Sequence, residues 1–298
     1  MERLTTPLTR SFRFIQLLLL VAFFSATVAP SGLAKQEGVK AEESSAKEKR
    51  PAYSDLKPQF QAALKDKKRY GELPEMIAYY PEYYELLKVH RRLTMLSTDR
   101  RSKEGKAAWE KYLKETEELE EEYFDDLSAA FKKTNKHTDE NRQVWTACID
   151  AASLMGSGGG RMLFNFAKDK RFRGSPTWIA RCLQKSLAVK ARIYGRDLNK
   201  YLQHEDVEVA TAAAEVLKNY GTAPGKDQQL ICKTCVKLLK SMDNPNVELD
   251  GSDQLRRERL RPELVKLVRL FTGQNYDDRE AFAAFWKKKA NSKKFWED

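Results

Sequence analysis

The residues best placed to do chemistry are the pair in Cys232-Lys-Thr-Cys235. Two cysteines at this spacing can form a redox-active disulfide or supply half of a zinc site. A four-thiolate site needs a second such pair, whereas Cys148 and Cys182 stand alone. The surrounding segment, LICKTCVKLLK, has the pattern of a helix interior, where cysteine behaves as a small apolar residue. We therefore expect Cys232 and Cys235 to pack in the core, with a disulfide between them as the main alternative and a metal site as a weaker one.

No other residues form a recognisable catalytic set. The three histidines (His90, His137 and His204) lie outside HExxH-type spacing. The glycine-rich segment 156–160 could hold a phosphate before a helix, but no predicted strand precedes it and no Lys-Ser/Thr pair follows. It is better interpreted as a turn between two helices. We predict that the protein is not an enzyme and uses neither a metal nor a cofactor.

Polar residues at helical spacing indicate a binding surface instead. They recur every three or four positions, opposite the apolar faces of three predicted helices. They are Arg161, Asn165, Lys168, Arg196, Lys200, Lys233, Lys237 and Lys240. If the three helices stack, these residues would form a basic strip on one concave side. Any surface helix also needs charges opposite its apolar face, so an ordinary solvated surface is the alternative.

Helices account for most of the chain after residue 53. Apolar positions at steps of three and four predict two long helices in residues 53–136, joined as an antiparallel hairpin. The first would bury Tyr83, Leu86, Leu87, His90, Leu93 and Leu96. The acidic run 114–126 predicts a solvated face of the second helix, with an acidic binding patch as the alternative. Shorter helices are predicted at 140–155, 158–169, 176–190, 193–203, 205–219, 226–241 and 255–271.

The N-terminal segment has the pattern of a secretory signal. Three arginines precede the apolar run 14–29, and small residues follow near Ala34. We expect residues 1–34 to be a signal peptide, cleaved near Ala34, with an uncleaved membrane anchor as the alternative. Residues 35–52 are expected to be a flexible linker. Without residues 1–34, Lys and Arg fall from 54 to 51 and Asp and Glu from 43 to 42, which leaves a net charge of +9. Such a charge is compatible with weak attraction to anionic surfaces.

One segment of the second half resembles a known family. Residues 203–221, QHEDVEVATAAAEVLKNYG, are similar to the first helix of a HEAT repeat: an Asp in the loop, a valine, alanines, a leucine and a closing glycine. The matching positions are Asp206, Val209, Ala212, Ala213, Val216, Leu217 and Gly221. Weaker copies cover 144–156 and 175–187, so that the three begin about 28 to 31 residues apart. Ala210 stands where the family usually has arginine, which puts the polar ladder between repeats in doubt.

The ending resembles the close of exported bacterial HEAT-like proteins. There a Thr-Gly-Gln turn leads into a short helix with paired aromatics, here Phe282, Phe285 and Trp286. The resemblance covers residues 140–290 and implies an all-α solenoid, with HEAT-like repeats over 137–272 and a capping helix in 273–298. It implies binding by the second helix of each repeat and no chemistry.

The sequence therefore predicts an exported protein-interaction scaffold. We place it in the periplasm or cell envelope, or outside the cell, with no membrane span after signal cleavage. A protein partner is expected. The alternatives are binding of a polyanion by the basic strip, either nucleic acid or an anionic envelope polymer, and a role as a non-catalytic accessory subunit of an envelope enzyme.

Overall fold

The computed structural model describes residues 50–189, 195–222, 225–246, 250–290 and 292–297. Within these ranges it contains thirteen α-helices and no strand, which confirms the predicted all-α fold. The helices are α1 Tyr53–Lys65, α2 Leu73–Ile77, α3 Tyr80–Ser97, α4 Lys103–Lys133, α5 Asp139–Ala152, α6 Gly156–Ala167, α7 Pro176–Ser186, α8 Gly195–Tyr201, α9 Val207–Leu217, α10 Gly225–Met242, α11 Gly251–Thr272, α12 Arg279–Lys289 and α13 Lys293–Glu297. The predicted signal peptide and residues 35–49 of the predicted linker lie outside the described residues.

Helices α5 to α11 contact one another in two rows. In the first row, α5 contacts α7, α7 contacts α9, and α9 contacts α11. The second row consists of α6, α8 and α10, and α8 contacts α10 directly. Tyr201 of α8 donates a hydrogen bond of 3.3 Å to the carbonyl oxygen of Ala167 at the end of α6. Each second-row helix also contacts the first row.

Small side chains allow α9 to lie at the centre of these contacts. Ala210, Ala212, Ala213 and Ala214 are buried on several sides of the helix, and α9 contacts α7, α8 and α11. A helix that is buried over most of its circumference belongs to the interior of a protein. The alanines that carry the resemblance to HEAT repeats are therefore core residues.

Helix ends follow the predicted signals in part. Asp206 caps α9 by accepting hydrogen bonds from the backbone of Glu208 and Val209, as its position before the helix predicts. Gly221, expected to close this helix in the left-handed conformation, instead lies in a 3₁₀ helix, Lys218–Thr222. Among the described glycines, positive φ occurs at Gly156 and Gly273, and Gly273 ends α11.

The predicted hairpin is formed by α3 and α4, but its apolar stripe is only partly buried. Tyr83 and Leu87 are buried, whereas Leu86, Leu93 and Leu96 are exposed. The buried residues of α3 lie in its N-terminal half, between Tyr80 and Leu87. Its outer part contacts α4 through the half-buried His90 and Arg91, which turns the leucines toward solvent.

The acidic run in α4 is not wholly solvated, because its Asp126 is 5% exposed. Its carboxylate accepts hydrogen bonds of 2.9 Å from the hydroxyls of Tyr53 and Tyr80 and of 2.7 Å from Gln61 Nε2. A buried carboxylate requires such partners. The three bonds join α1, α3 and α4.

The glycine-rich segment is part of a helix rather than a turn, because α6 begins at Gly156. A Cβ at Gly158 would overlap the ring of Phe124, and one at Gly159 would overlap the carbonyl oxygen of Ala152. Gly156 has φ of +59° and lies against the hydroxyl of Tyr84. The glycines therefore allow the start of α6 to pack closely on α3, α4 and α5.

The predicted C-terminal cap consists of two short helices, α12 and α13. Phe282 is buried and stacks on Trp286, with ring centroids 5.5 Å apart. Helix α13 contacts α10, and the backbone of Trp296 lies where a Cβ at Gly225 would be. Helix α13 therefore packs on the first turn of α10.

Candidate functional site

The eight residues predicted to form the basic strip are all exposed, and they lie on the second row. Arg161 and Asn165 are on α6 and Lys168 is at its C-terminal end. The other five residues are Arg196 and Lys200 on α8 and Lys233, Lys237 and Lys240 on α10. The contacts from α6 to α8 and from α8 to α10 bring the three groups onto neighbouring helices.

Charge is divided unequally between the two rows. Helices α6, α8 and α10 carry seven Lys and Arg residues against two Asp. The four first-row helices carry nine Lys and Arg residues against eight Asp and Glu. The second row is therefore strongly positive, while the first row is close to neutral.

One carboxylate neutralises part of the second row. Asp197 of α8 forms ion pairs with Lys168 and, at 3.4 Å, with Lys200. The hydrogen bond from Lys168, with the positive charge of both lysines, lowers the pKa of Asp197. This part of the predicted strip is thus an ion-pair cluster, and its contribution to the net charge is reduced.

The remaining cations of the second row differ from this cluster. No carboxylate in the described part of the chain lies within 4.0 Å of Arg161, Arg196, Lys233, Lys237 or Lys240. On α10 the three lysines follow one another at steps of four and three, so they share one face. Buried residues, including Ile231, Cys235 and Leu239, occupy the opposite face.

First-row cations, by contrast, are largely paired. Asp150 pairs with Arg181 and Lys185, and Glu263 pairs with Lys218 and Lys266. Asp243, whose side chain is almost fully buried, accepts a hydrogen bond from Arg261 at 2.9 Å and forms an ion pair with Arg279 at 3.1 Å. These carboxylates hold helices together, whereas the lysines of α10 have no such structural partner among the described residues.

Apolar surface adjoins the lysines of α10. Leu230 is 39% exposed and precedes Lys233 by three positions, which places the two side chains on the same face of the helix. The face thus combines cationic groups with an apolar side chain.

Both cysteines of the Cys-x-x-Cys pair are free thiols buried in α10. Burial raises the pKa of Cys232 to about 12 and also raises the pKa of Cys235 well above its ordinary value. A thiol in this environment is a poor nucleophile. Cys148 and Cys182 are likewise free and buried, in α5 and α7.

The three histidines occupy unrelated places. His90 contacts the hydroxyl of Tyr112, and burial lowers its pKa. His137 lies edge-on to Trp145, and His204 Nδ1 accepts a hydrogen bond of 3.0 Å from the backbone of Asp206. Within the described residues, no three His, Cys, Asp or Glu side chains come together in a way that could hold a metal ion.

A shallow recess of about 330 Å³ was not predicted from the sequence. It lies between the starts of α5 and α7, and its lining includes Arg142, Arg181 and Trp178. Arg142 is paired with Asp139 at 3.4 Å and Arg181 with Asp150 at 3.2 Å. Since both guanidinium groups already have carboxylate partners, the recess is a weaker candidate than the second row.

Comparison with known protein families, with curated proteins and with solved structures finds no significant match to the chain. The thirteen described helices include none that is both long enough and apolar enough to cross a membrane.

Proposed function

We propose that this protein is a non-catalytic binding scaffold, an α-solenoid of HEAT-like helix pairs whose second row binds an acidic surface of a protein partner. Its place of action is the periplasm or cell envelope, or the exterior of the cell. The export proposal rests on the pattern of residues 1–34. The observation that carries the binding proposal is the row of exposed lysines on α10, which have no carboxylate partner among the described residues.

The order of helix contacts supports the solenoid. In a stack of helix pairs, the first helices of successive repeats contact one another and so do the second helices. The first row follows this order from α5 to α11. The second row follows it through the Tyr201–Ala167 hydrogen bond and the contact of α8 with α10.

The division of charge supports binding by the second row. Exposed ion pairs stabilise a fold by only about 0–1 kcal/mol, so an unpaired cation costs the fold little and remains available to a ligand. Complementary charge raises the association rate and selects among partners. Repeated unpaired lysines on one helix face supply such a charge.

A polyanion is the second candidate, and the same lysines favour it. Leu230 favours a protein instead, because a protein interface buries apolar side chains among its polar contacts, while a phosphate backbone gains nothing from a leucine. A third role, as a non-catalytic accessory subunit of an envelope enzyme, is a special case of protein binding.

The salt dependence of binding separates these candidates. The tagged protein is used for affinity capture from a cell-envelope extract at low and at high salt, and both proteins and polymers are identified. A defined protein that stays bound at high salt, and that is lost when Leu230 is changed to Ser, supports the proposal. If nucleic acid or acidic polymer is captured, and only at low salt, the result favours polyanion binding instead, because phosphate-driven affinity falls steeply with salt.

A further inference from the structure

Four large apolar side chains form an exposed stripe along α3. Leu86, Val89, Leu93 and Leu96 are 37%, 53%, 57% and 71% exposed. They account for half of the exposed large apolar residues in the described part of the chain. Their spacing of three, four and three places them on one face of the helix.

The hairpin partner of α3 cannot cover this stripe. Helix α4 contacts a different face of α3, where His90 meets Tyr112 and Arg91 donates to Thr116 at 2.8 Å. Arg91 also forms an ion pair with Glu120 of α4. These polar contacts fix the face that α3 turns to α4, so the apolar stripe lies on the side away from it.

The spacing of the stripe is that of a coiled-coil seam. Apolar residues that alternate three and four positions apart occupy the a and d positions of a heptad, and a helix with this seam pairs with another of the same kind. In α3 the a positions are Leu86 and Leu93, and the d positions are Val89 and Leu96. The seam is about three turns long, which suits association of moderate strength.

The charges beside the seam indicate which partner fits. Glu85 and Arg92 occupy g positions on the same edge of the seam, and both are exposed. Glu85 also pairs with Lys88 of its own helix at 2.9 Å, an exposed pair that contributes little to folding. In an antiparallel pair of two α3 helices, a positions face d positions, so Leu86 lies opposite Leu96 and Val89 opposite Leu93. Glu85 of each copy then lies beside Arg92 of the other, which forms two complementary charge pairs.

A parallel pair lacks this complementarity. It would place Glu85 beside His90 and Arg92 beside Ser97, where the pKa of His90 is lowered by burial and Ser97 carries no charge. We propose that two copies of this chain associate through the α3 seam in an antiparallel arrangement, with Leu86 and Leu96 of opposite copies in contact. This surface is separate from the basic second row and does not depend on it.

Disulfide trapping tests both the contact and its direction. The four natural cysteines are buried, so a cysteine placed on the seam is the readily accessible thiol. Leu86→Cys and Leu96→Cys are made as separate full-length variants and oxidised alone or as an equimolar mixture. The antiparallel pair predicts a covalent dimer in the mixture and little in either variant alone. The antiparallel arrangement would be overturned if each variant alone gave as much covalent dimer as the mixture, or more.

Sedimentation velocity over a range of concentrations gives an independent measurement on the natural chain. We expect a concentration-dependent dimer. Leu93→Lys removes one buried leucine from each copy and should weaken the dimer by about tenfold or more. Leu255→Lys, the same change at an exposed leucine of α11, should leave dimerisation unchanged. A monomer at every concentration overturns the proposal.

If that monomer floats with phosphatidylcholine vesicles, and Leu93→Lys abolishes the flotation, the seam binds lipid instead.

Discussion

Lys168, at the end of α6, forms an ion pair with Asp197 of α8. The pair joins two neighbouring helices of the second row and places a carboxylate within the basic surface. Asp197 also contacts Lys200 at 3.4 Å. The positive surface is therefore strongest on α10, which lies beyond this cluster.

Asp197→Asn should increase the affinity of the second row for anions. The change removes one negative charge from that row, so its net charge becomes more positive by one. Surface ion pairs contribute little to folding, so the fold should be kept. We expect the variant to elute from immobilised heparin at higher salt than the natural protein. Asp150→Asn, the same change in the first row, should shift elution less. Equal shifts for the two variants would mean that heparin senses only the net charge.

Asp169 should stabilise the fold in a pH-dependent way. Its carboxylate accepts two hydrogen bonds of 2.9 Å from Arg171, which also donates to the carbonyl oxygens of Phe131 and Thr134. The bonds from Arg171 lower the pKa of Asp169 in the folded state. Its contribution is therefore complete above the ordinary aspartate pKa of about 3.9 and is lost as the pH falls through the lower folded value.

Urea unfolding of Asp169→Asn checks this expectation. At pH 7 the variant should lose about 2 kcal/mol, the scale of hydrogen bonds to a charged group, and the loss should shrink toward pH 3. Asp139→Asn removes an exposed ion pair with Arg142 and should leave the free energy of unfolding unchanged. A loss of the same size at both pH values would show that the ionised carboxylate is not responsible.

Gly159→Ala should destabilise the start of α6. The added Cβ would overlap the carbonyl oxygen of Ala152, and a backbone atom cannot move aside alone. We expect a loss of about 3 kcal/mol, at the upper end for overpacking. Gly174→Ala is the matched control, since no atom lies within 4 Å of its Cβ. Equal stability of the two variants, measured by thermal or urea unfolding, would contradict the close packing of α6 on α5.

The buried cysteines should be unreactive until the protein unfolds. Because burial raises the pKa of Cys232 to about 12, its thiolate is scarce at neutral pH. Ellman's reagent should find almost no thiol in the folded protein and four in the denatured protein. Fewer than four after denaturation would reveal a disulfide, with Cys232 and Cys235 the first pair to examine.

The helices of the second half could be predicted from the sequence because their signals are local. Predicted segments 205–219 and 226–241 correspond to α9 and α10, with ends that differ by a few residues. The aspartate cap before α9 and the alanine-rich pattern depend on neighbours in the chain. The 3₁₀ conformation at Gly221 and the second short helix at the C-terminus depend on packing between helices, which no local pattern shows.

Tertiary contacts explain why two sequence interpretations were wrong, namely the burial of the whole apolar stripe of the hairpin and the turn at the glycines. The spacing of Leu86 and Leu93 indicates that a partner is needed, but it does not say whether the same chain supplies one. The close approach of Phe124 to Gly158 joins residues far apart in sequence. For the same reason, exposure of the second-row lysines was predictable from the helical pattern, whereas the ion pair of Lys168 with Asp197 was not.

The most direct test of the central claim compares partner capture by three forms of the protein. The first form is the natural chain. The second, the α10 variant, carries Lys233→Glu, Lys237→Glu and Lys240→Glu. The third, the control, carries the same charge change on exposed lysines of α12, namely Lys287→Glu, Lys288→Glu and Lys289→Glu. Captured proteins are quantified at moderate salt. We predict that the natural chain and the control capture the same acidic partner in equal amounts. The α10 variant should capture less of it, by about tenfold or more, which corresponds to a loss of about 1.4 kcal/mol or more of binding free energy. Retention by the α10 variant, or equal loss in both variants, would contradict binding by the second row.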